Sequence, residues 1–300
     1  MPDTTHTQPI NRARTPAVAL ETTLLVHGLP GNVAMETADR IDQQIEAAGA
    51  HPALIGVIQG RPTVGMTREE LRFLLEQDSV PKLNTANLGL AIHTGSNGAT
   101  TVSATMELAE QAGVRIFATG GIGGVHTGYA DRLDISADLG ALARHRVAVV
   151  TSGCKNILDI TSTRELLETL GVPVIGFQTD TFPAFYQRQT EIPVDATFDD
   201  AERLADFVAF ELARSGRGIV IANPIPENAE LDGQLWNQWL AEAQSQPNVR
   251  AAAGRDATPA LLEAVHTISG GKTIQANIEL ATANASLAAR VASAIESRRL

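Results

Sequence analysis

Thr119-Gly-Gly-Ile-Gly-Gly-Val-His-Thr-Gly128 follows the apolar run Val114 to Ala118, and an acidic run, Asp131 to Asp138, comes next. A second apolar run, Val147 to Thr151, leads into Ser152-Gly-Cys-Lys-Asn156. Such runs read as short buried strands of an α/β sheet, and ligand crevices open where strands of this kind end. Five glycines between Gly120 and Gly128 let the backbone take positive φ and approach a ligand where a Cβ would clash. The turn does not fit the dinucleotide fingerprint, because counting from Gly121 puts His126 where the last glycine belongs. A P-loop ending in Gly-Lys-Ser/Thr is also missing.

Working outward, Ser136 is a good N-cap for a helix from Ala137 to Arg144, with Asp138 in its first turn. Capping explains Asp138 by itself. Asp134 precedes the cap and is free to face a ligand or a hard divalent cation held by one carboxylate and water. Lys155 sits after a strand and before the apolar positions Ile157, Leu158 and Ile160. There it is either a lysine snorkelling to the surface or an amine that desolvation turns into a nucleophile for a carbonyl. Cys154 reads as a small packed residue.

Upstream, Val18 to His27 reads as a buried strand ending at Gly28-Leu-Pro-Gly31. Glu21 stands out within it, because a carboxylate in an apolar strand costs several kcal/mol unless it is paired, hydrogen-bonded or neutralised. Either it lies at an edge position or has an arginine partner, or it is a proton-transfer group with an adjusted pKa. Asn32 to Gly49 predicts a helix, Ala53 to Ile58 a strand, and Thr67-Arg-Glu-Glu70 a capping box. Lys82 lies in a short segment after that box. Asn97 to Gly113 predicts a helix whose Gly- and Thr-rich start suits an anion, or simply caps itself.

Downstream, strands at Val172 to Phe177 and Gly218 to Ala222 bracket an aromatic loop, Gln178 to Tyr186, and a helix, Asp199 to Arg214. Two more helices, about 230–244 and 258–268, precede an alanine-rich helix to about Ser297. Asn277 and Asn284 interrupt its apolar face, either as packing amides or as readers of a base edge. Residues 1–15 are polar and aperiodic and predict a mobile tail. Strands alternating with helices predict a single α/β domain over 16–300, an α/β/α sandwich on a mixed, largely parallel sheet.

Composition narrows the function. The 34 acidic and 23 basic residues give a net charge of −11 with no basic stripe, which argues against a nucleic-acid polymer as partner. One cysteine excludes an internal disulfide and fits a reducing compartment, the cytoplasm. No apolar run is long enough to span a membrane and the polar start lacks a secretory core.

Several stretches in the same order carry a family resemblance. They are Val18-Ala-Leu-Glu-Thr-Thr, Gly98-Ala-Thr-Thr-Val, Phe117-Ala-Thr-Gly-Gly-Ile-Gly-Gly-Val-His and Asp134-Ile-Ser-Ala-Asp-Leu. Gly153-Cys-Lys-Asn-Ile-Leu-Asp and Ala222-Asn-Pro-Ile-Pro-Glu complete the set. Together, from about Pro16 to Ala292, they resemble the pseudouridine-5′-phosphate glycosidase family, also called indigoidine-synthase-A-like. The resemblance implies reversible cleavage of the C–C bond between ribose C1′ and uracil C5. It makes Lys155 the Schiff-base nucleophile and Glu21 the general acid/base. It places Lys82, Val102, Ser136, Ala137 and Asp138 against substrate, Asp134 on Mn2+ (Mg2+ as the alternative), His126 near the sugar phosphate and Asn277 near the base. It further implies a homotrimer acting on ribose 5-phosphate and a uracil-like or other carbon-nucleophile aglycone. Members usually carry Ser-Arg-Arg-Asp-Leu-Pro after the first lysine, where this chain has Lys82-Leu-Asn-Thr-Ala-Asn-Leu88. The runner-up is therefore a synthase joining ribose 5-phosphate to a different carbon nucleophile.

Overall fold

The computed structural model describes residues 9–129, 133–251 and 257–298. Its strands are β1 (Ile10–Asn11), β2 (Ala17–Glu21), β3 (His51–Ile58), β4 (Arg61–Val64), β5 (Lys82–Leu83), β6 (Gly98–Thr100) and β7 (Ile116–Ala118). After these come β8 (Val125–His126), β9 (Ala148–Thr151), β10 (Leu158–Asp159), β11 (Val174–Phe177), β12 (Ala196–Phe198) and β13 (Ile219–Ala222). The helices are α1 (Thr23–Gly28), α2 (Gly31–Ala47), α3 (Arg68–Leu75), α4 (Leu88–His93), α5 (Val102–Gln111) and α6 (Ala137–Leu142). Then follow α7 (Ile160–Thr169), α8 (Ala201–Ser215), α9 (Gly233–Ser245), α10 (Pro247–Ala251), α11 (Ala257–Ile268) and α12 (Lys272–Ser297).

One sheet runs in the order β1-β4-β3-β2-β7-β9-β13-β11-β12, with β6 also pairing β3, and β5 pairing β6. From β3 through β12 the main path is parallel, whereas β4 and β6 join β3 antiparallel. Side chains alternate across a strand, so a sheet covered on both faces needs apolar residues at every position. The central strands meet that demand. Val18, Leu20, Val150, Ile219 and Ile221 face a layer that includes α2, α8 and α12. Ala19, Val149, Val220 and Ala222 face α5, α6 and α7. The α/β/α sandwich with a mixed, largely parallel sheet is therefore the fold.

Register determines where the crevice lies. Leu20, Ala118, Val150, Ile221 and Ile175 form one row across five parallel strands. The next residues, among them Glu21, Thr119 and Thr151, therefore end at one level. The chain leaves β2 toward β3 on one side and returns with β7 on the other, a topological switch point.

Several boundaries differ from the sequence reading. The run Val18 to His27 leaves the strand at Glu21, and Thr23–Gly28 is helical. The Thr22 hydroxyl accepts from Thr100 N at 2.8 Å and Thr23 Oγ1 donates to Ala99 O at 3.1 Å, so the chain is clipped to β6 as soon as it clears the sheet. Gly98–Thr100 is strand rather than helix start, and Leu158–Asp159 is strand before α7 begins. The expected tail is ordered from Ile10, where β1 pairs β4 and Arg12 forms a bidentate pair with Glu70 at 2.8 and 3.0 Å. Residues 1–8 and Asp131 lie outside the described residues. The Thr67–Glu70 capping box forms as expected.

Asn284 holds the strand ends together. From the middle of α12, fully buried, its amide donates to Thr119 O at 2.8 Å and to Gly120 O at 3.4 Å, and its Oδ1 accepts from Asn223 Nδ2 at 2.9 Å. One side chain thus joins the ends of β7 and β13, and the Ser152 hydroxyl after β9 lies within 3.1 Å of its nitrogen. Asn284→Leu fills the volume but leaves these groups without partners. It is expected to cost about 2–4 kcal/mol, seen as a lower urea midpoint with unchanged slope.

Candidate active site

Glu21 ends β2 beside the residue that follows β7, and the Thr119 hydroxyl donates a hydrogen bond to its Oε1. Burial pushes the Glu21 carboxyl from the ordinary range up to about 7. The positive charge of Lys155, the Thr119 hydroxyl and the charge of Lys82 oppose that rise, and Asp138 adds to it. Such a carboxyl changes protonation state near neutrality and suits it to moving a proton. Neither an edge position nor an arginine partner explains it.

Lys155 arrives by a different route. Gly153 adopts φ +86°, and a Cβ there would stand 1.8 Å from Pro183 O. The turn therefore folds tightly against the 183–185 loop, and Lys155 N closes onto Ile122 O at 3.3 Å. Among the described residues the Lys155 ammonium has no hydrogen bond or salt bridge, which leaves it free for a ligand. Burial pushes the neighbouring Cys154 thiol up to about 12, so that sulfur is inert and packs against Thr163.

Lys82 lies on β5, held by Thr101, whose N and Oγ1 both bond Leu83 O at 2.8 and 3.0 Å. Partial desolvation and then the like charge of Lys155 lower its pKa, while Glu21 raises it. Lys82, Lys155 and Glu21 thus form one electrostatic group, although their positions in the sequence are far apart.

Asp138 is more than a helix cap. Ser136 caps α6 as expected, accepting from Asp138 N at 3.2 Å. The Asp138 carboxylate is buried, accepting from Ser103 N at 3.0 Å with one oxygen and from Gly123 N at 2.9 Å with the other. The anion expected at the start of α5 is therefore the protein's own. Val102, next to this clamp, is buried.

The glycine turn behaves differently from the reading of its composition. Of its five glycines only Gly128 has positive φ. A Cβ on Gly121 would meet the Phe185 ring at 2.5 Å, one on Gly123 the Ser136 Oγ at 2.3 Å, and one on Gly124 the Thr163 Oγ1 at 2.2 Å. Here the close approach is protein against protein.

His126 ends β8, which pairs antiparallel with β10, opposite Leu158, and its N donates to Asp134 O at 2.9 Å. Ser136 N donates to Gly124 O at 2.9 Å. Three loops therefore interlock over the strand ends: the glycine turn, the segment 133–138 that carries Asp134, Ser136 and Ala137, and the Lys155 turn. Asp134 is exposed. Among the described residues no group of three or more His, Cys, Asp or Glu side chains is arranged to hold a metal. An ion at Asp134 would rest on that one carboxylate, water and substrate oxygens, the manner in which magnesium-type ions are held.

Asn277, on α12, is buried and accepts from the Tyr186 hydroxyl at 2.9 Å. Sequence reading gave no role to Thr119 or Tyr186. The register of β2 against β7 makes Thr119 a partner of Glu21, and no local pattern encodes that register.

A sequence model of the indigoidine synthase A-like proteins matches residues 7–294. The chain belongs to the indigoidine synthase A-like family. A pseudouridine-5′-phosphate glycosidase of Hahella chejuensis is 45% identical over 280 residues, 92% of each chain. One from Alkaliphilus metalliredigens is 45% identical over 282 residues, 93% of this chain and 92% of its own. Among solved structures, an indigoidine synthase A-like protein of Thermotoga maritima superposes with a TM-score of 0.88 at 33% identity, covering 96% of both chains. The prealnumycin C-glycosynthase AlnA in complex with ribulose 5-phosphate gives 0.86 at 35% identity, over 95% of this chain and 93% of its own. No helix among the described residues of this family member is long and apolar enough to cross a membrane.

The Glu21 ionisation makes a testable demand. Its folded-state pKa is raised, so between the unfolded value, 4.5, and about 7 the native state holds the extra proton and stability falls as pH rises. Glu21→Gln removes that penalty. The variant should be about 2–4 kcal/mol more stable than wild type at pH 8 and equal to it below pH 4.5. Urea titrations at the two pH values measure the difference.

Proposed function

We propose that this chain is a C-glycosidase that reversibly splits pseudouridine 5′-phosphate into uracil and ribose 5-phosphate through a Schiff base on Lys155. The observation that carries the reading is the nearness of a lysine amine, without a hydrogen bond among the described residues, to a carboxyl poised near neutrality, at the switch point of a parallel sheet. The names of the 41–45% identical relatives support the substrate class. A C–C glycosidic bond has no heteroatom to protonate, so the two-carboxylate chemistry of ordinary glycosidases does not apply.

In the synthetic direction the Lys155 nitrogen adds to the aldehyde C1′ of ring-opened ribose 5-phosphate and water leaves, giving an iminium. Uracil C5 then bonds to C1′ as the C=N electrons return to nitrogen, and C5 loses its proton. Closure of the ring oxygen onto C1′ expels the amine. Cleavage is the reverse. Glu21 carries the proton between the amine, the ring oxygen and the base. Lys82 adds positive charge next to Glu21 and Lys155, and we assign it, with Val102, Ser136 and Ala137, to substrate contact. Asp138 acts through the backbone it holds. His126 faces the sugar phosphate in this scheme, and Asn277 the base.

Asp134 is the residue proposed to hold a divalent cation, Mn2+ or Mg2+, which when bound would supply positive charge near the phosphorylated sugar. A homotrimer and a cytoplasmic location belong to the same proposal. The likeness to AlnA favours one second reading, synthesis of a C-glycoside from ribose 5-phosphate and another carbon nucleophile.

Borohydride added with ribose 5-phosphate should fix one pentose phosphate on Lys155, located by peptide mass, and Lys155→Arg should abolish both the adduct and turnover. Ribose 5-phosphate with uracil and Mn2+ should yield pseudouridine 5′-phosphate. An adduct without that product rejects uracil and leaves the second reading. No adduct rejects both.

A further inference from the structure

Tyr186 is fully buried, its ring lies against Trp236 with centroids 5.1 Å apart, and its hydroxyl meets Asn277 Oδ1 at 2.9 Å. Among the described residues that hydroxyl has no other partner. A buried phenol must place its hydrogen on an acceptor. If the Asn277 amide were turned so that its NH2 donated to the phenol, the Tyr186 hydrogen would be stranded. Only one orientation satisfies the pair: Tyr186 donates to Oδ1, and the NH2 group of Asn277 faces away from it.

The NH2 group has no hydrogen bond among the described residues, and its nitrogen is not among the buried unsatisfied atoms, so it retains access to solvent. The helix shows where it lies. Asn284 bonds to Thr119 and Gly120, and Leu280 comes within 3.0 Å of where a Gly120 Cβ would stand. Asn277 is on the same face of α12, about 10 Å along the axis from Asn284 at 1.5 Å per residue. That position is past the ends of β7 and β9, where the crevice opens. The segment carrying Tyr186 is fixed there. Phe185 has φ +57° and donates its N–H to Ser152 O at 2.9 Å, and Ala184 bridges Gly153 in the Lys155 turn. A non-glycine residue in that region costs about 1–3 kcal/mol and persists only where its surroundings enforce it.

We infer that Tyr186 is a positioning residue that locks the Asn277 amide so that it offers only donors, making the site select aglycones that present a ring carbonyl. This rests on the proposed C-glycosidase reading. A carbonyl on the ring is also where bond electrons collect when the C–C bond breaks, so the donors would meet growing charge. A ring presenting an N–H at that point would face two donors and be rejected.

The experiment is a double-mutant cycle on the full chain, measuring synthesis from ribose 5-phosphate and uracil. Tyr186→Phe should raise the KM for uracil about tenfold, the size of one lost neutral hydrogen bond, with the KM for ribose 5-phosphate and the borohydride adduct unchanged. In an Asn277→Ala background, Tyr186→Phe should have no further effect on the uracil KM. The near-isosteric Asn277→Asp keeps the acceptor for Tyr186 but removes the donors, and should raise that KM at least as far as Tyr186→Phe. A uracil KM unmoved in Tyr186→Phe, equal increases for both substrates, or additive effects in the cycle would overturn the inference while wild-type turnover leaves the function standing. Wild type that forms the adduct but no uracil product overturns both the uracil assignment and this inference.

Discussion

A carboxyl group at the end of a buried strand has to be kept from either leaving the fold or staying permanently ionised. In this protein Glu21 is held by three distant parts of the chain: the hydroxyl after β7, the lysine after β9 and the lysine on β5. None of these is its neighbour in sequence. The parallel register that aligns Leu20, Ala118 and Val150 brings Thr119 and the Lys155 turn to the level of Glu21, and β5 is carried there by its pairing with β6. The sheet therefore sets the protonation behaviour of the site as well as its location.

Asp138 is the counterpart on the other side of the crevice. Helix starts and glycine-rich backbone both attract anions, and here a single carboxylate satisfies one N–H of each. It fixes α5 against the glycine turn, so the loops around Lys155 are set in place before substrate arrives. Pre-organisation of this kind reduces the ordering that binding would otherwise require. The conformational strain at Phe185 serves the same end, since that residue bonds Ser152 O beside the Lys155 turn.

Much of this was legible from sequence. Alternating apolar runs announced the sandwich, and Glu21 was conspicuous because its chemistry contradicts its surroundings. Lys155 and the glycine turn also marked their own position. Other features depend on what folds against what. The strand at Val18 runs on in hydrophobicity to Leu25 and Val26, but Thr22 bonds Thr100 and bends the chain into α1, a contact 78 residues away. The glycines looked permissive toward a ligand, yet most are small because Phe185, Ser136 and Thr163 fill the space beside them. Asn284 and Asn277 looked alike in sequence. One is enclosed by backbone carbonyls and the other keeps a donor group exposed, a difference set by the loops each one meets.

The placement of α12 bears on how the protein is made. It follows every described strand of the sheet in sequence, yet it packs against β2, β7 and β9 at the centre of the sheet and supplies Asn284 beneath the crevice. While a nascent chain is still emerging, the strands that lead into Glu21 and Lys155 can pair, but the middle of one sheet face, the strip that α12 covers, stays open to water. Val18, Leu20, Ala118 and Val150 would all remain uncovered there. Glu21 and Lys155 are thus encoded early, and the helix that covers their strands leaves the ribosome well after them. Until α12 emerges the growing chain carries a sticky apolar strip that a holding chaperone would need to shield.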